Sequence, residues 1–332
     1  MKHRSYSFNS VQVVQLMRKS GAIDLPKKSR TTSGLAIALG KLYKMEPKML
    51  QTMECVIHCE EYNWMSSGQL VYFLESADMA RNIMRGSFNI KDTEPLYKGA
   101  ESFVLMLPDD LLIDGRKGSG CLVTIQDHAL RGENIFNSFF DAAGLPRTEV
   151  RTSGEHGKFT VCIDYQEKSG SNMYTRAAIP NHYIEKVMAM DTLEQYRAFM
   201  EETNCFNYFM GSDLDLSEQQ YQFELLRLVC GFLVYKHALP DRVRPGLPSN
   251  TRGEEASSPF FKRPQAFTVC HPHAEHKEVA GHYRSWHFRQ LMAERFYQGE
   301  HANKKPGERI VFVSDSFVNR GDAEIYTAEE VA

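Results

Sequence analysis

The chain has 332 residues, which is enough for one large hydrophobic core or two ordinary ones. Its apolar fraction of 42% and aromatic fraction of 11% are typical of a folded globular protein. The formal charge of −3 excludes neither nucleic-acid nor protein partners, because it averages over regions of different sign. No apolar run reaches the roughly 18 residues of a transmembrane helix, so we expect no contact with a membrane.

The cysteines indicate a reducing compartment. There are seven, an odd number, and the basic N-terminus makes a poor signal peptide because its apolar piece is short and interrupted by Gln and Arg. We therefore expect a cytoplasmic protein. Four of the cysteines lie in apolar surroundings and are predicted to be buried thiols: Cys121, Cys162, Cys205 and Cys230.

Residues 1–95 are predicted to form a helical region. Apolar residues recur at helical spacing in "TTSGLAIALGKLYKM", and "EPKMLQTMECVIHCEEYNWM" follows with Pro47 suited to the first turn of a helix. A third helix is predicted over "SGQLVYFLESADMARNIMRG", where Gly86 is a plausible C-terminal stop.

Residues 96–238 are predicted to form a central α+β domain. The segments "ESFVLMLP", "DLLID", "GCLVTIQDHAL", "KFTVCIDYQ" and "MYTRAAIP" are short, rich in β-formers, and separated by turn residues, which favours a mostly antiparallel sheet. A helix is predicted over "GENIFNSFFDAAGLP". Two more begin at the capping boxes Asp191…Glu194 and Ser217…Gln220. The last is apolar nearly all round, so we expect it to be central and buried.

The remaining residues are predicted to form an arm and a small module. Residues 239–264 contain five of the thirteen prolines and are predicted to be a Pro-rich linker or wrapping arm. Residues 265–332 include a closing strand over "RIVFVSDSFV" and are predicted to form a small basic β module. The fold class expected for the chain as a whole is α+β.

Basic and aromatic residues alternate near the C-terminus. Between Lys262 and Arg320 there are ten Lys and Arg against six Asp and Glu, a net charge of +4. Guanidinium groups pair with phosphates, and aromatic faces stack on unpaired bases. We therefore predict contact with RNA or the ribosome, made by His273, His282, Tyr283, Arg284, Trp286, His287, Arg289 and Arg295. The alternative is an exposed face whose aromatic side chains complete a small core.

A metal site is another interpretation of the same segment. Its ligands would be Cys270, His271, His273 and His276, but their spacing matches no standard zinc finger or ribbon and a second cysteine pair is absent. We expect no metal and no cofactor. A second cluster of possible ligands is Cys55, His58 and Cys59, which we interpret as helix packing.

A catalytic centre is a third interpretation. His273 or His287 could act with Glu275, Glu278 or Asp315 as a ribonuclease uses acid–base groups, although nothing in the sequence fixes their geometry. The chain is therefore predicted to have no catalytic residues of its own, and a small ribonuclease is the alternative.

Several segments resemble a type V-A anti-CRISPR family. Near the C-terminus these are Pro272-His273, Gly281-His282-Tyr283, Trp286-His287 and Phe317-Val318-Asn319. Upstream they are "SGLAIALGKLY", "DTEPLYKGAESFVLMLPDDLLID" and "LLRLVCGFLVYKHALPDRVRPGLPS". The chain departs from the family's Arg-rich pattern at His271, Glu275 and Glu278, and it has Tyr283 where the family has Trp.

The resemblance implies a phage- or plasmid-borne inhibitor in the cytoplasm of a bacterial host. Such a protein recognises the nascent N-terminal segment of the type V effector nuclease and causes its mRNA to be degraded, without an active site of its own. The basic C-terminal module would contact the ribosome or RNA. The peptide would bind in a groove between the helical region and the sheet. A phage or plasmid nucleic-acid-binding protein is the alternative.

Overall fold

The computed structural model describes residues 2–90, 92–97, 101–128, 135–147, 158–166, 174–202, 216–248, 260, 264–271, 282–284, 286–313, 316–318 and 325–327. The helices are α1 Asn9–Lys19, α2 Thr32–Met45, α3 Met53–Ser66, α4 Ala77–Arg85, α5 Ile135–Ala143, α6 Asn181–Met188, α7 Leu193–Glu202 and α8 Leu216–Ala238.

The strands are β1 His3–Arg4, β2 Leu70–Leu74, β3 Ser87–Asn89, β4 Ser102–Pro108, β5 Cys121–Asp127, β6 Phe159–Gln166, β7 Tyr174–Pro180, β8 Val243–Pro245, β9 Gln265–Val269, β10 His282–Arg284, β11 His287–Leu291, β12 Arg309–Val313, β13 Ser316–Val318 and β14 Ile325–Thr327.

A mixed eight-stranded sheet forms the centre of the molecule. Its order is β7-β6-β5-β4-β2-β9-β8, and β1 pairs with the end of β4. Strand β2 is parallel to both β4 and β9, whereas the other pairs in the sheet are antiparallel. The predicted α+β class and the mostly antiparallel sheet are therefore confirmed.

Helices cover both faces of this sheet. Helices α1, α2, α3 and α5 pack on one face around fully buried rings such as Trp64 and Phe139. Helices α4, α6, α7 and α8 pack on the other face. The alternation of side chains along β4 sends Phe103 and Leu105 to the α8 side and Val104 to the α3 side. The eleven residues 225–235 of α8 are almost all buried, which confirms the central buried helix.

Three elements differ from the prediction. The third predicted helix contains β2 at Leu70–Leu74, and only its second half forms α4, which ends before Gly86 as expected. A short apolar run does not distinguish a buried strand from a helix, and pairing with β4 and β9 decides it here. The segment "DLLID" forms turns with one isolated bridge, Ile113 to Arg116, rather than a strand. Helix α6 was not predicted.

Helix α7 starts one residue later than predicted, and α8 starts two residues earlier than predicted. At α7 the cap is Thr192, whose Oγ1 accepts from the Gln195 N–H, while the Gln195 side chain accepts from the N–H groups of Asp191 and Thr192. The capping box is therefore Thr192…Gln195 rather than Asp191…Glu194. Helix α8 begins at Leu216, one residue before the predicted cap at Ser217.

The described part of the arm packs against the fold. Strand β8 pairs with β9 at the edge of the sheet, and Phe260 is only 4% exposed, packed among the helices of the α3 side. The Thr32 Oγ1 donates a hydrogen bond of 3.1 Å to the Phe260 carbonyl oxygen. These contacts support a wrapping arm for the residues that the structure describes.

The C-terminal strands form two antiparallel pairs in two separate three-stranded sheets, which we call together the C-terminal ribbon. Strand β10 pairs with β13 and β11 pairs with β12. Strand β14 adds to β13, and β3 adds to β11. Trp286, Phe288 and Ile310 from this ribbon belong to the same core as α8.

The cysteines and helices agree with two further expectations. Cys121, Cys162 and Cys230 are buried free thiols, as predicted, whereas Cys205 lies outside the described residues. None of the helices that the structure describes combines the length and the apolar character needed to cross a membrane.

Replacing Gly40 by alanine should destabilise the fold by about 1–3 kcal/mol. Gly40 lies where α2 crosses the end of α5, and a Cβ there would overlap the carbonyl oxygen of Ala143, a backbone atom that cannot move alone. Urea unfolding of Gly40→Ala measures this cost. The exposed position Ser33 in the same helix provides the control, because Ser33→Ala meets no such obstacle and should leave the midpoint unchanged or slightly higher. Equal midpoints for the two variants would contradict the close packing.

Candidate nucleic-acid interface

Positive charge is concentrated at the N-terminus of the chain. Residues 2–48 contain ten Lys and Arg against two acidic residues, Asp24 and Glu46, a net charge of +8. Because the whole chain carries −3, the other residues together carry −11. The basic residues are Lys2, Arg4, Arg18, Lys19, Lys27, Lys28, Arg30, Lys41, Lys44 and Lys48.

Half of these residues surround the connection between α1 and α2. We call this group the basic turn: Arg18, Lys19, Lys27, Lys28 and Arg30. The three lysines are exposed and the two arginines are half-buried. In the part of the chain that the structure describes, none of the five forms an ion pair with a carboxylate. Their charge is therefore available to an anionic partner.

Local sequence explains the shape of the basic turn. Helix α1 ends at Lys19, and Gly21 follows with a φ of 76°, a left-handed conformation that glycine adopts without strain. Ile23 then turns back into the core, and Thr31 caps α2 by accepting from the Gly34 N–H at 3.1 Å. Gly34 also lies against the Ser29 carbonyl, which leaves no room for a side chain. The turn is therefore held at both ends by packing.

A second basic group lies at the far end of α2. Lys41, Lys44 and Lys48 are all exposed. Lys41 is nine residues beyond Thr32, the first residue of the helix, which corresponds to about 14 Å along the axis. We call these the distal lysines. They carry the same kind of charge as the basic turn but lie away from it.

A cleft of about 250 Å³ opens beside the basic turn. It is lined by Val14, Gln15 and Arg18 of α1, by Leu25 and Arg30 of the connection, and by Phe260 of the arm. Three of these residues are apolar and two carry guanidinium groups. The Nε of Arg30 is buried and finds no hydrogen-bond acceptor among the described residues. Because Val14 and Phe260 are themselves buried, the cleft offers the half-buried side chains of Leu25 and Gln15 beside the guanidinium groups of Arg18 and Arg30.

A buried polar network fixes the start of α1 and therefore the position of the cleft. Glu61 of α3 is fully buried, and it accepts hydrogen bonds from the Tyr6 hydroxyl (2.7 Å) and from the N–H groups of Asn9 (2.7 Å) and Ser10 (2.8 Å). Burial raises the pKa of Glu61 to about 7, although these hydrogen bonds act to lower it. His58, one turn earlier, binds Asn9 and Tyr43 and is also fully buried.

The neighbouring Glu60 belongs to a second buried network. The Arg176 guanidinium donates to both carboxylate oxygens of Glu60 at 2.8–3.2 Å, and Gln126 donates to the same carboxylate at 2.9 Å. Asp164 lies 3.8 Å from the Arg176 Nε. Glu60 and Asp164 are 0% and 1% exposed, so this cluster of titratable groups has no direct access to a substrate. Its evident role is to hold α3 on the sheet.

The C-terminal ribbon contains most of the residues predicted to contact nucleic acid. His282, Tyr283 and Arg284 lie in β10, and His273 lies outside the described residues. His287 is half-buried and Arg289 is exposed, two residues apart on the same face of β11. Arg295 is exposed and lies over the Phe296 ring, 4.9 Å from its centroid. From Trp286 to Val313 the net charge is +2, below that of the N-terminal region.

The Trp286 ring is turned inward. It is 7% exposed and packs edge-on against Phe312, with centroids 5.2 Å apart, and also near Phe288 and Tyr235. A ring covered in this way cannot stack on a base, so Trp286 contributes to the core and not to the predicted contact surface.

The metal and catalytic candidates are only partly described. Cys270 is half-buried, and burial raises the pKa of its thiol. The His271 N–H donates to Glu75 at 2.7 Å. His273, Glu275, His276, Glu278 and Asp315 lie outside the described residues. Within the described ranges, no three side chains of His, Cys, Asp or Glu come together as metal ligands.

The cluster of Cys55, His58 and Cys59 is packing, as predicted. All three side chains are buried in the core on the α3 side. The region between the helices and the sheet is filled by such side chains, including Phe139 and Trp64. Among the residues that the structure describes, packed side chains fill the place where a peptide groove was expected, and a cleft opens beside α1.

Comparison of the chain with protein-family models, with curated proteins and with solved structures finds no match. Support for the candidate interface therefore comes only from the sequence and geometry of this chain. Sequence reasoning overlooked the basic turn because it averaged charge over the whole chain and examined it closely only near the C-terminus. A count of charge by segment would have found it, because residues 2–48 carry a net charge of +8 whereas residues 262–320 carry +4.

Proposed function

We propose that this chain is a binding protein of a phage or plasmid that inhibits a type V CRISPR effector nuclease during its translation. In this proposal it contacts RNA of the ribosome or the message through the basic turn and recognises the nascent N-terminal segment of the nuclease. Loss of the mRNA follows through host enzymes, in the cytoplasm of the bacterial host.

The observation that carries the RNA contact is the unpaired charge of the basic turn. Five cationic side chains lie within thirteen residues against one carboxylate, Asp24, and none of the five forms an ion pair with a carboxylate of the described residues. Phosphate backbones bind such groups and release counterions. The translational target and the nascent peptide rest on the resemblance of the C-terminal and central segments to the type V-A anti-CRISPR family.

Removing the three exposed lysines of the basic turn should weaken RNA binding at least tenfold. We expect Lys19→Ala/Lys27→Ala/Lys28→Ala to reduce the slope of log K against log salt by about 2 for single-stranded RNA, since each phosphate contact contributes roughly 0.7. Fluorescence anisotropy with a labelled RNA between about 50 and 200 mM salt measures both quantities.

The matched control changes the same charge elsewhere. Lys41→Ala/Lys44→Ala/Lys48→Ala removes the three distal lysines and should have a smaller effect on affinity and slope. If the two triple variants lose affinity equally, the contact is a diffuse attraction to the whole N-terminal region. If neither changes binding, the basic turn is not the RNA interface.

The translational part of the proposal has its own test. Expression of the chain should lower the mRNA of a type V nuclease but not that of a version whose start codon is removed, because recognition requires a nascent peptide. Loss of both messages would contradict nascent-chain recognition. Inhibition of the assembled nuclease with unchanged mRNA would remove the proposal altogether.

A nucleic-acid-binding protein or small ribonuclease is the second candidate, favoured by His287 and Arg289 on one face of β11. It predicts RNA cleavage that His287→Ala abolishes. Incubation of RNA with the wild type, with and without a chelator, distinguishes the two. Absence of cleavage by the wild type would remove the enzyme version.

A further inference from the structure

We propose that the cleft beside α1 holds one unstacked nucleotide of single-stranded RNA. This inference rests on the proposed RNA contact and makes it more specific, because it assigns a site and a ligand class within the basic N-terminal region.

The composition of the cleft matches the parts of a nucleotide. The half-buried Leu25 supplies apolar surface on which a planar base can lie, and Gln15 supplies an amide that can bond a base edge. Val14 and Phe260 also line the cleft, but they are 0% and 4% exposed and serve mainly as its packed floor. Arg18 and Arg30 supply planar donors for the phosphates on either side of the base.

The size of the cleft favours a single nucleotide. Its volume of about 250 Å³ is below the roughly 300–1,000 Å³ of pockets that enclose drug-sized ligands. A base pair is too large for it, and the bases of a duplex are stacked and unavailable. Single-stranded RNA can turn one base outward at little cost. The cleft should therefore distinguish single strands from duplexes, which the exposed lysines alone cannot do.

Charge argues for RNA over an acidic peptide as the occupant. Lys19, Lys27 and Lys28 are exposed, and each lies within three residues of a residue that lines the cleft. They add positive charge to that of the two arginines. A polyanion with evenly spaced charges can follow such a surface, whereas the cleft alone offers a peptide two cationic side chains. An acidic peptide that displaces the RNA is treated as a contrary outcome of the test.

The test fills the cleft without changing charge. Leu25→Trp places a larger side chain in a half-buried position, and Gln15→Ala removes the only uncharged polar side chain lining the cleft. We expect binding of a labelled ten-nucleotide single-stranded RNA to weaken about tenfold for Leu25→Trp and a few-fold for Gln15→Ala. Binding of a ten-base-pair RNA duplex should be unchanged, and thermal unfolding checks that each variant is folded.

A charge-preserving variant provides a second line of evidence. Arg30→Lys keeps the cation but loses the planar donor, so single-strand affinity should fall while the salt dependence stays the same. This variant and Gln15→Ala remain informative if Leu25→Trp fails to fold.

The outcomes separate this inference from the proposed function. If the variants leave single-strand binding unchanged, or weaken single strands and duplexes equally, the cleft is not a nucleotide site, while loss of binding in the lysine variant would still support the basic turn. If the wild type binds no RNA, both proposals fall. Displacement of the RNA by a short acidic peptide, with loss of peptide binding in Leu25→Trp, would assign the cleft to a peptide and overturn the inference.

Discussion

Replacing Arg176 by methionine should lower the free energy of unfolding by about 3–5 kcal/mol. Arg176 lies on β7 and reaches across the sheet surface to Glu60 of α3, to which it donates three hydrogen bonds of 2.8–3.2 Å. The Glu60 carboxylate is fully buried, so its charge depends on this partner. Methionine keeps much of the side-chain volume but leaves the carboxylate unpaired in the core.

The pKa shifts of the two buried carboxylic acids, Glu60 and Asp164, support the pairing of Arg176 with Glu60. Burial acts to raise the pKa of Glu60, but the charge and hydrogen bonds of Arg176 outweigh it and hold that pKa below its usual value. Burial and the negative charge of Glu60 raise the pKa of Asp164 well above its usual value. The two shifts are opposite in direction, as expected when one guanidinium pairs mainly with one of two neighbouring carboxylates.

The control is a pair with similar geometry on the surface. Arg147 donates two hydrogen bonds to Asp141 at 2.6 and 2.9 Å, and both side chains are exposed. Arg147→Met should not shift the urea midpoint measurably, because water solvates the carboxylate left behind. The double variant Arg176→Met/Glu60→Gln should recover part of the loss, since it removes the unpaired charge. Equal midpoints for Arg176→Met and Arg147→Met would contradict the buried ion pair.

The sequence predicts local elements well because local physics decides them. The buried position of α8 follows from its all-round apolar pattern and is confirmed. Helix α4 also ends before Gly86 as expected, although Gly86 has a φ of −59° that any residue can adopt. The apolar run of β2 has no such local signature. Its strand structure depends on β4 and β9, which lie about thirty and two hundred residues further along the chain.

The candidate site was less predictable than the fold. Trp286 and Arg289 differ by three positions in one segment, yet one ring is buried and one guanidinium exposed, because β11 packs one face on α8. Aromatic residues near arginines are therefore poor evidence for a stacking surface until the buried face is known. The cleft needs Phe260, more than two hundred residues from α1, and no spacing rule brings them together.

The paired glutamates illustrate the same limit. In "CEEYNW" they suggest an exposed helix face, since Glu is seldom fully buried. Both are buried, because Arg176 pairs with one and the N–H groups at the start of α1 bind the other. Only the tertiary structure supplies these partners. The network positions α1, which provides three of the six residues that line the cleft.

His58 should make the protein less stable in mild acid. Burial lowers the pKa of His58 to about 3, and the neutral ring is bound on both sides, Nδ1 at 2.6 Å from the Tyr43 hydroxyl and Nε2 at 2.7 Å from the Asn9 side-chain oxygen. In the unfolded chain its pKa is near 6.5. Below that pH the unfolded state binds a proton that the folded state excludes. The contribution of His58 to the free energy of unfolding is therefore fully present above pH 6.5. It is lost as the pH falls toward 3, by roughly 5 kcal/mol in total.

The experiment compares urea unfolding of the wild type and His58→Gln at about pH 7.5 and pH 5. Between these values His58 should cost the wild type roughly 2 kcal/mol that the variant does not lose. Glu61 acts in the opposite direction, because its raised pKa makes stability fall as the pH rises from its unfolded value toward 7. It is present in both proteins, so its contribution cancels in the difference between them. If the difference in unfolding free energy between wild type and His58→Gln is the same at both pH values, the ring titrates normally and is not held neutral by burial.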